Sequence, residues 1–258
     1  MRGMVGIGRR TMALAGAVAL LAVAGCTASD QDPAAPSAPR TAASGVPANA
    51  ASTASTASPN SEFDVEVEAA FRLVADYWDG KFSAGGHDFR PVAAVRPYTK
   101  DGELTCAGQA QPTQNAFYCP ADDSIGYDVN WVRQSYQQIG DSFVYFLVAH
   151  EYGHAIQERV RANRLVSITY ELQADCLSGA FVGDSVRSGV LELEDGDLDE
   201  LTRGVRSLGD RAQGSDAIVT WLAPDAHGSM DQRLSAFARG YRGSIEQCHL
   251  DSANGMAL

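Results

Sequence analysis

The feature that most constrains this chain is the pair His150 and His154, which follows an unbroken apolar run over residues 143–149. The run is apolar on every side, so it predicts a buried helix over residues 142–160. Histidines four residues apart lie on one face of a helix, where both imidazoles can reach a single metal ion. Glu151 falls on the neighbouring edge, where its carboxylate can hold a water beside the metal. Because such groups are costly to bury without partners, a metal site is favoured over two satisfied core histidines.

The third metal ligand is predicted to be a carboxylate. A catalytic zinc takes three protein ligands and keeps a fourth position for water. Gln157 and Val160 stand where a third imidazole would follow the first two. On the next predicted helix, Glu171 and Asp175 are four residues apart and share a face. We expect one of them, with Glu171 favoured, to bind the metal and the other to orient an imidazole. A solvated acidic pair is the alternative.

The N-terminus is typical of an export signal. Two arginines precede an apolar run, Met12–Val23, which is too short to span a bilayer. Small residues follow the run and stand directly before Cys26, an order that resembles a bacterial lipobox. We therefore expect residues 1–25 to be a lipoprotein signal peptide and Cys26 to be lipidated. An ordinary signal peptide with a chance cysteine is the alternative.

The segment after Cys26 is predicted to be a tether over residues 26–60. Of the 34 residues from 27 to 60, 26 are Ala, Ser, Thr or Pro, so little apolar surface can offset the entropy of ordering. Residues 61–258 are then long enough for one domain with a substantial core. This organisation predicts an exported protein that is lipid-anchored to the outer face of the bacterial cell membrane.

The charge balance excludes one class of partner. The chain has 32 acidic and 20 basic residues, giving a formal net charge of −12. Binding to nucleic-acid phosphates needs a basic face, and a polybasic hold on anionic lipid needs clustered lysine and arginine. We therefore expect no nucleic-acid partner, and membrane attachment through the lipid alone.

The four remaining cysteines predict two disulfides. An even number of cysteines suits an oxidising compartment, and three connectivities could link them. Cys106 and Cys119 flank a polar, turn-rich stretch, which favours a local pair. Cys176 and Cys248 would then form the second disulfide. A zinc site built from cysteines is disfavoured because no CxxC spacing occurs.

Helical periodicity dominates the second half of the chain, while short strand-like runs interrupt the first half. The pattern predicts helices over residues 61–77, 131–139, 142–160, 165–182, 198–211 and 230–241. Short strands are predicted within 92–95, 117–119 and 125–129. The expected fold is α+β, mainly helical with a small antiparallel sheet.

Four segments together resemble one known family. HEYGH is followed by ELQADC, preceded by AFYCPADDSIGYD and followed by HGSMDQR. This combination, from about residue 62 to 250, resembles the bacterial neutral zinc metallopeptidase family of the gluzincin type. The resemblance implies a zincin-like fold whose edge strand, within Phe117–Asp128, lines the cleft. It also implies a role for each residue of the predicted site: one zinc ion bound by His150, His154 and Glu171, Glu151 as general base, and Asp175 behind an imidazole.

One further residue is a candidate for the chemistry. Zinc peptidases often place a His, Tyr or Arg near the oxyanion, and His227 lies in a loop that could do this. The alternative is a polar residue at the start of the last helix. Tyr170 and Tyr127 are weaker candidates for the same role.

The sequence therefore predicts an exported, lipid-anchored, zinc-dependent peptidase that acts on a peptide or protein substrate. The alternative is a non-catalytic surface lipoprotein in which zinc is structural and the domain serves as a binding or assembly scaffold. The presence of Glu151 favours the enzyme, because a structural zinc site has no need of a general base.

Overall fold

The computed structural model describes residues 59–160, 167–210 and 226–250. The predicted signal peptide, Cys26 and the tether up to residue 58 lie outside the described residues. Across the described ranges, no helix combines the length and apolarity needed to cross a membrane.

The described chain is α+β, as predicted, with helices outnumbering short strands. The helices are α1 (Pro59–Ala84), α2 (Val129–Ile139), α3 (Ser142–Arg159), α4 (Ser167–Ser188), α5 (Asp197–Ser207) and α6 (Met230–Gly243). A 3-10 helix (Ile245–Cys248) follows α6. The strands are β1 (Ala94–Tyr98), β2 (Thr105–Cys106), β3 (Gln109–Ala110), β4 (Ala116–Cys119) and β5 (Ser124–Asp128).

The helix bounds differ most from prediction at the end of α1. The prediction ended this helix at Tyr77, whereas the structure continues it to Ala84. Trp78 and Phe82 extend the apolar face of Val74 at intervals of four residues, and both are buried. Their burial outweighs the low helix propensity of the glycine between them.

The main sheet is mixed, so the prediction of an antiparallel sheet is wrong for one strand pair. β4 and β5 form an antiparallel hairpin, but β1 runs parallel to β5, giving the order β1-β5-β4. A parallel pair needs a crossover of a dozen residues or more. The chain between β1 and β5 provides it, because the β2-β3 ribbon and β4 are inserted there.

Helix α3 lies at the centre of the fold and packs against α1, α2, α4 and α5. Its buried residues occur on all sides of the helix, as its uniformly apolar first half predicts. α4 can approach closely because Gly153 has no side chain: a Cβ there would lie 3.1 Å from the Cα of Ala174. This contact brings the α4 segment that carries Glu171 beside the two histidines.

The pair α4 and α6 is packed even more tightly. Gly240 of α6 lies directly against the backbone of Cys176, and Gly179 of α4 lies against the carbonyl of Phe237. A Cβ at either glycine would overlap the facing backbone. The close approach places Arg233, in the first turns of α6, within reach of the core face of α4.

Two disulfides connect these elements, in the pairs that the cysteine positions predict. Cys106–Cys119 joins the β2-β3 ribbon to β4. Cys176–Cys248 joins α4 to the 3-10 helix after α6.

Candidate metal centre

The first two predicted ligands project from the buried middle of α3. His150 is 4% exposed, and its imidazole centroid is 4.8 Å from that of His154, with the rings nearly perpendicular. Glu151 is also buried, and its side chain lines the same cleft. The four-residue spacing therefore brings the imidazoles together, as the helical geometry predicts.

Glu171 of α4 completes the cluster. One oxygen of its carboxylate lies 3.3 Å from Nε2 of His150, and the other lies 3.4 Å from Nε2 of His154. One donor atom from each residue can be chosen so that all three lie within 4.8 Å of one another. The structure thus brings together the three residues predicted as ligands.

The chemistry and spacing of these donors fit zinc. Two imidazole nitrogens and one carboxylate oxygen form a ligand set that catalytic zinc sites use. Tetrahedral zinc at about 2.0–2.1 Å from each ligand requires donor atoms about 3.3–3.4 Å apart. The observed distances, 3.3 Å from one Glu171 oxygen to Nε2 of His150 and 3.4 Å from the other oxygen to Nε2 of His154, match that spacing.

The electrostatics of the cluster favour ionised Glu171. Burial alone would raise the pKa of its carboxyl, but the neighbouring His154 and His150 outweigh burial and hold that pKa far below its usual value. For His150, burial disfavours the imidazolium, but hydrogen bonds to Asp175 and Glu171 raise its pKa to about 9. The cluster therefore favours bound positive charge, which a metal ion supplies.

Asp175 holds His150 from the side opposite Glu171. Its Oδ1 lies 2.9 Å from Nδ1 of His150, and its side chain is fully buried. A carboxylate at Nδ1 fixes the imidazole so that Nε2 faces the metal position. Asp175 therefore lies behind one imidazole, whereas Glu171 faces Nε2 of both, which is the arrangement of the two acids that the sequence analysis favoured.

A buried cation, which the sequence analysis missed, accompanies Asp175. Arg233 is 2% exposed, and its Nε and Nη2 donate to the two carboxylate oxygens of Asp175 at 2.8 and 2.7 Å. Its Nη1 donates to the carbonyl of Leu208 at 2.8 Å. Burial would raise the pKa of Asp175, but Arg233 and His150 reverse that effect and lower it. Gly179 and Gly183 of α4 lie against the backbone of α6, and this close packing brings Arg233 to Asp175.

The second imidazole is held differently. Nδ1 of His154 lies 2.9 Å from Oε1 of Gln157, a buried amide one turn further along α3. The ring of Tyr170 stacks on the His154 ring, with centroids 5.0 Å apart and planes inclined by 19°. His154 is therefore fixed by an amide and an aromatic ring, whereas His150 is fixed by an ion pair.

Sequence comparison decides the family. Residues 2–250 match the profile of a family described as "Putative neutral zinc metallopeptidase". This chain belongs to that family. The resemblance drawn from the four sequence segments is confirmed, and membership implies that the metal is zinc.

Relatives of this chain occur in Escherichia coli and in mycobacteria. The Escherichia coli K12 relative, "Uncharacterized protein YpfJ", is 29% identical over 220 residues, which cover 74% of this chain and 73% of the relative. The Mycobacterium tuberculosis H37Rv relative, "Uncharacterized protein Rv2575", is 31% identical over 178 residues, covering 57% and 59% respectively. No solved structure matches the chain.

A cleft of about 480 Å³ opens beside the three candidate ligands. Strand β4 lies at the edge of the sheet and lines the cleft with Phe117 and Tyr118. An edge strand within Phe117–Asp128 is what the family resemblance implied. Trp131 and Leu147 contribute apolar surface to the same cleft.

His227 also lines the cleft, and its side chain is 50% exposed. Its loop is anchored by Asp210, whose Oδ2 accepts from the backbone N–H groups of His227 and Gly228, both at 2.9 Å. Tyr170 lines the cleft as well, but Tyr127 instead packs against the partly buried Phe71. Of the three candidates for an oxyanion-binding group, His227 and Tyr170 are therefore placed beside the cleft.

Proposed function

We propose that this protein is a zinc-dependent peptidase that is exported and lipid-anchored to the outer face of the bacterial cell membrane. The observation that carries the proposal is the position of Glu151. Its carboxylate lines the cleft from the same buried helix as two of the three metal ligands. A general base next to a three-ligand metal site is the arrangement that metal-assisted hydrolysis needs.

His150, His154 and Glu171 would hold one zinc ion. When bound, zinc supplies Lewis-acid activation of the scissile carbonyl and increases the acidity of water. Glu151 accepts the proton of the attacking water and then delivers it to the leaving amine. Asp175 and Arg233 keep His150 in its ligating orientation throughout, because both are buried and joined by two hydrogen bonds.

The cleft suits an extended peptide. β4 has a paired neighbour, β5, on one side only within the described sheet, and its residues line the cleft on the other side. An extended peptide can add to such an edge through main-chain hydrogen bonds, independently of its side chains. His227 would then stabilise the developing oxyanion from the opposite loop, with its backbone position fixed by Asp210.

Export is supported by two separate features. The small residues before Cys26 match a lipobox-like cleavage site, and the tether would carry the domain away from the membrane. The two disulfides suit an oxidising compartment, because thiols are kept reduced in the cytosol.

Cleavage of a peptide library tests the proposal. The purified full-length protein should cleave peptides, lose that activity with a zinc chelator, and regain it on addition of zinc. Elemental analysis of the same sample should find one zinc per chain. A protein that keeps its zinc but cleaves no peptide, at any pH or peptide length tried, would instead support the scaffold alternative.

A further inference from the structure

The amide that holds His154 belongs to a chain of hydrogen bonds, most of them partly buried, that the catalytic proposal does not use. Gln157 is 1% exposed, so its polar atoms must find partners within the protein. Its Oε1 faces Nδ1 of His154 at 2.9 Å. Its Nε2 donates to the carbonyl of Tyr170 at 2.8 Å and to Oε1 of Gln173 at 2.9 Å.

The orientation of the Gln157 amide is fixed by its surroundings. The carbonyl of Tyr170 can only accept, so the NH₂ group of Gln157 must face it. The oxygen of Gln157 must then face His154. A flipped amide would oppose two acceptors and leave the Tyr170 carbonyl without this donor.

The next amide in the chain is fixed in the same way. Nε2 of Gln173 donates to the backbone carbonyls of Cys248 and His249, at 3.1 and 2.7 Å. These carbonyls also only accept, so Oε1 of Gln173 must face Gln157. Three backbone carbonyls therefore determine the direction of every hydrogen bond from the C-terminal segment to the imidazole.

This direction determines the protonation pattern of His154. An amide oxygen only accepts, so Nδ1 of His154 must carry the proton. In the neutral imidazole the lone pair is then on Nε2, which faces Glu171 at 3.4 Å. A nitrogen must present its lone pair to bind a metal, so this tautomer is the ligating one.

We propose that Gln157 and Gln173 are positioning residues that lock His154 in its ligating tautomer. Through them, the imidazole is tied to the segment that the Cys176–Cys248 disulfide holds against α4. The inference rests on the proposed function only in taking His154 as a metal ligand.

An amide at position 157 also differs from a carboxylate in charge. Asp175 can remain a buried anion behind His150 because Arg233 neutralises it. A carboxylate at 157 would face the Tyr170 carbonyl and the Gln173 amide oxygen, and all of these groups only accept. Gln157→Glu is therefore nearly isosteric, but it replaces the two hydrogen bonds that Nε2 of Gln157 donates with repulsion between oxygen atoms.

The test measures zinc binding and histidine tautomers in full-length protein carrying Gln157→Met, Gln157→Glu or Gln173→Met. Chelator competition with zinc alone should show affinity reduced about 10–100-fold by either change at Gln157. Gln173→Met should give a smaller loss in the same direction. In the zinc-free protein, nitrogen–proton correlation NMR should show neutral His154 with its proton on Nδ1. That population should fall in Gln157→Met and Gln173→Met, whereas Gln157→Glu keeps an acceptor oxygen opposite Nδ1 and should retain it.

Two control variants separate this effect from general loss of stability. Gln137→Met makes the same change at an exposed position of α2 and should leave the affinity for zinc unchanged. Tyr77→Phe removes a partly buried hydrogen bond to Asp184, between α1 and α4, without touching the site. It should lower the free energy of unfolding while leaving both the affinity and the tautomer as in the wild type.

The inference is overturned if folded Gln157→Met binds zinc within about twofold of wild type, or if His154 keeps its tautomer in both Gln157→Met and Gln173→Met. An equal loss of zinc affinity in Tyr77→Phe would also overturn it. If the Gln157 variants do not fold, the tautomer in Gln173→Met decides the question. Neither readout uses peptide hydrolysis, so a zinc-binding protein without peptidase activity would contradict the proposed function alone.

Discussion

Arg233 and Asp175 form a buried, two-point ion pair, with Nε–Oδ2 and Nη2–Oδ1 distances of 2.8 and 2.7 Å. Asp175 in turn lies 2.9 Å from Nδ1 of His150. A residue of α6 therefore stabilises a ligand on α3 through a carboxylate on α4. The three helices that converge on the metal site are joined by charge as well as by packing.

We expect Arg233→Met to be strongly destabilising. Removing the guanidinium leaves Asp175 buried without its cation, which costs about 3–5 kcal/mol in comparable buried pairs. Urea unfolding measures the loss. Arg206→Met is the matched control, because its ion pair with Asp231 is exposed and should contribute less than about 1 kcal/mol. Equal losses in the two variants would show that Arg233 has no special role.

The part of the site that was predictable from sequence is the part set by local spacing. His150, Glu151 and His154 lie within five consecutive residues, so the helical period alone brings them together. Glu171 and Asp175 were found as a pair for the same reason. The sequence favoured Glu171 as the ligand but could not establish it, because the assignment depends on which carboxylate faces Nε2 and which faces Nδ1.

The missed features depend on contacts between distant segments. Arg233 is 58 residues from Asp175 along the chain, and only the close packing of α4 and α6 brings them together. The parallel pairing of β1 with β5 was missed because strand-like patterns give the position of a strand but not its neighbour. In the sequence, Gln157 was notable only because it stands where a third histidine ligand could have been. Its hydrogen bonds were not predictable, because the groups that accept from its amide lie on α4.

The two acids on α4 should respond differently to substitution. Glu171→Ala removes a donor that faces both imidazoles, so zinc should be lost from the purified protein. Asp175→Asn keeps the shape and one acceptor near His150, so zinc should be retained with affinity reduced about 10–100-fold. Elemental analysis and chelator competition measure both. Full zinc occupancy in Glu171→Ala together with loss in Asp175→Asn would mean that the two acids exchange roles.

Asp184 should contribute to stability in acid. Burial would raise its pKa, but hydrogen bonds from Lys81, Ser244 and other neighbours lower it from its ordinary value of 3.8 to about 2. Because the folded pKa is the lower one, this stabilisation is present above about pH 4 and is lost as the pH falls towards 2. Asp184→Asn should remove that dependence.

The measurement is the free energy of unfolding of zinc-free protein between pH 2 and 6, so that metal release does not contribute. Asp76→Asn is the control, because Asp76 is exposed and pairs only at the surface with Arg72. The wild-type and Asp184→Asn stabilities should differ most near pH 6 and converge in strong acid. A constant difference across this range would contradict the assigned pKa.

Lipid attachment depends on one side chain. Cys26→Ser should abolish acylation, so the protein should move from the membrane fraction to the soluble exported fraction while its zinc content stays unchanged. Fractionation and mass spectrometry of the mature N-terminus measure this. A Cys26→Ser protein that still partitions wholly into membranes would rule out the lipid anchor without affecting the peptidase proposal.

The decisive test of catalysis is Glu151→Gln. The substitution is nearly isosteric and leaves the three metal ligands intact, so fold and zinc content should be preserved. The amide cannot accept the proton of the attacking water, and general-base catalysis is worth about 10²–10⁴ in rate. Peptide hydrolysis should therefore fall by at least about a hundredfold.

Glu68→Gln makes the same chemical change on the exposed face of α1 and should leave the rate unchanged. Zinc must be measured in every sample, because loss of metal would also abolish hydrolysis and would point to a structural defect. If Glu151→Gln and wild type hydrolyse peptides equally, the base is another residue or the activity belongs to a contaminant. If neither is active while both hold zinc, the buried glutamate is not serving catalysis, and the scaffold alternative explains the site better. We expect hydrolysis to be lost, with zinc retained, in the Glu151 variant only. The reason is that Glu151 lines the cleft beside the candidate metal site but does not belong to the cluster of ligands.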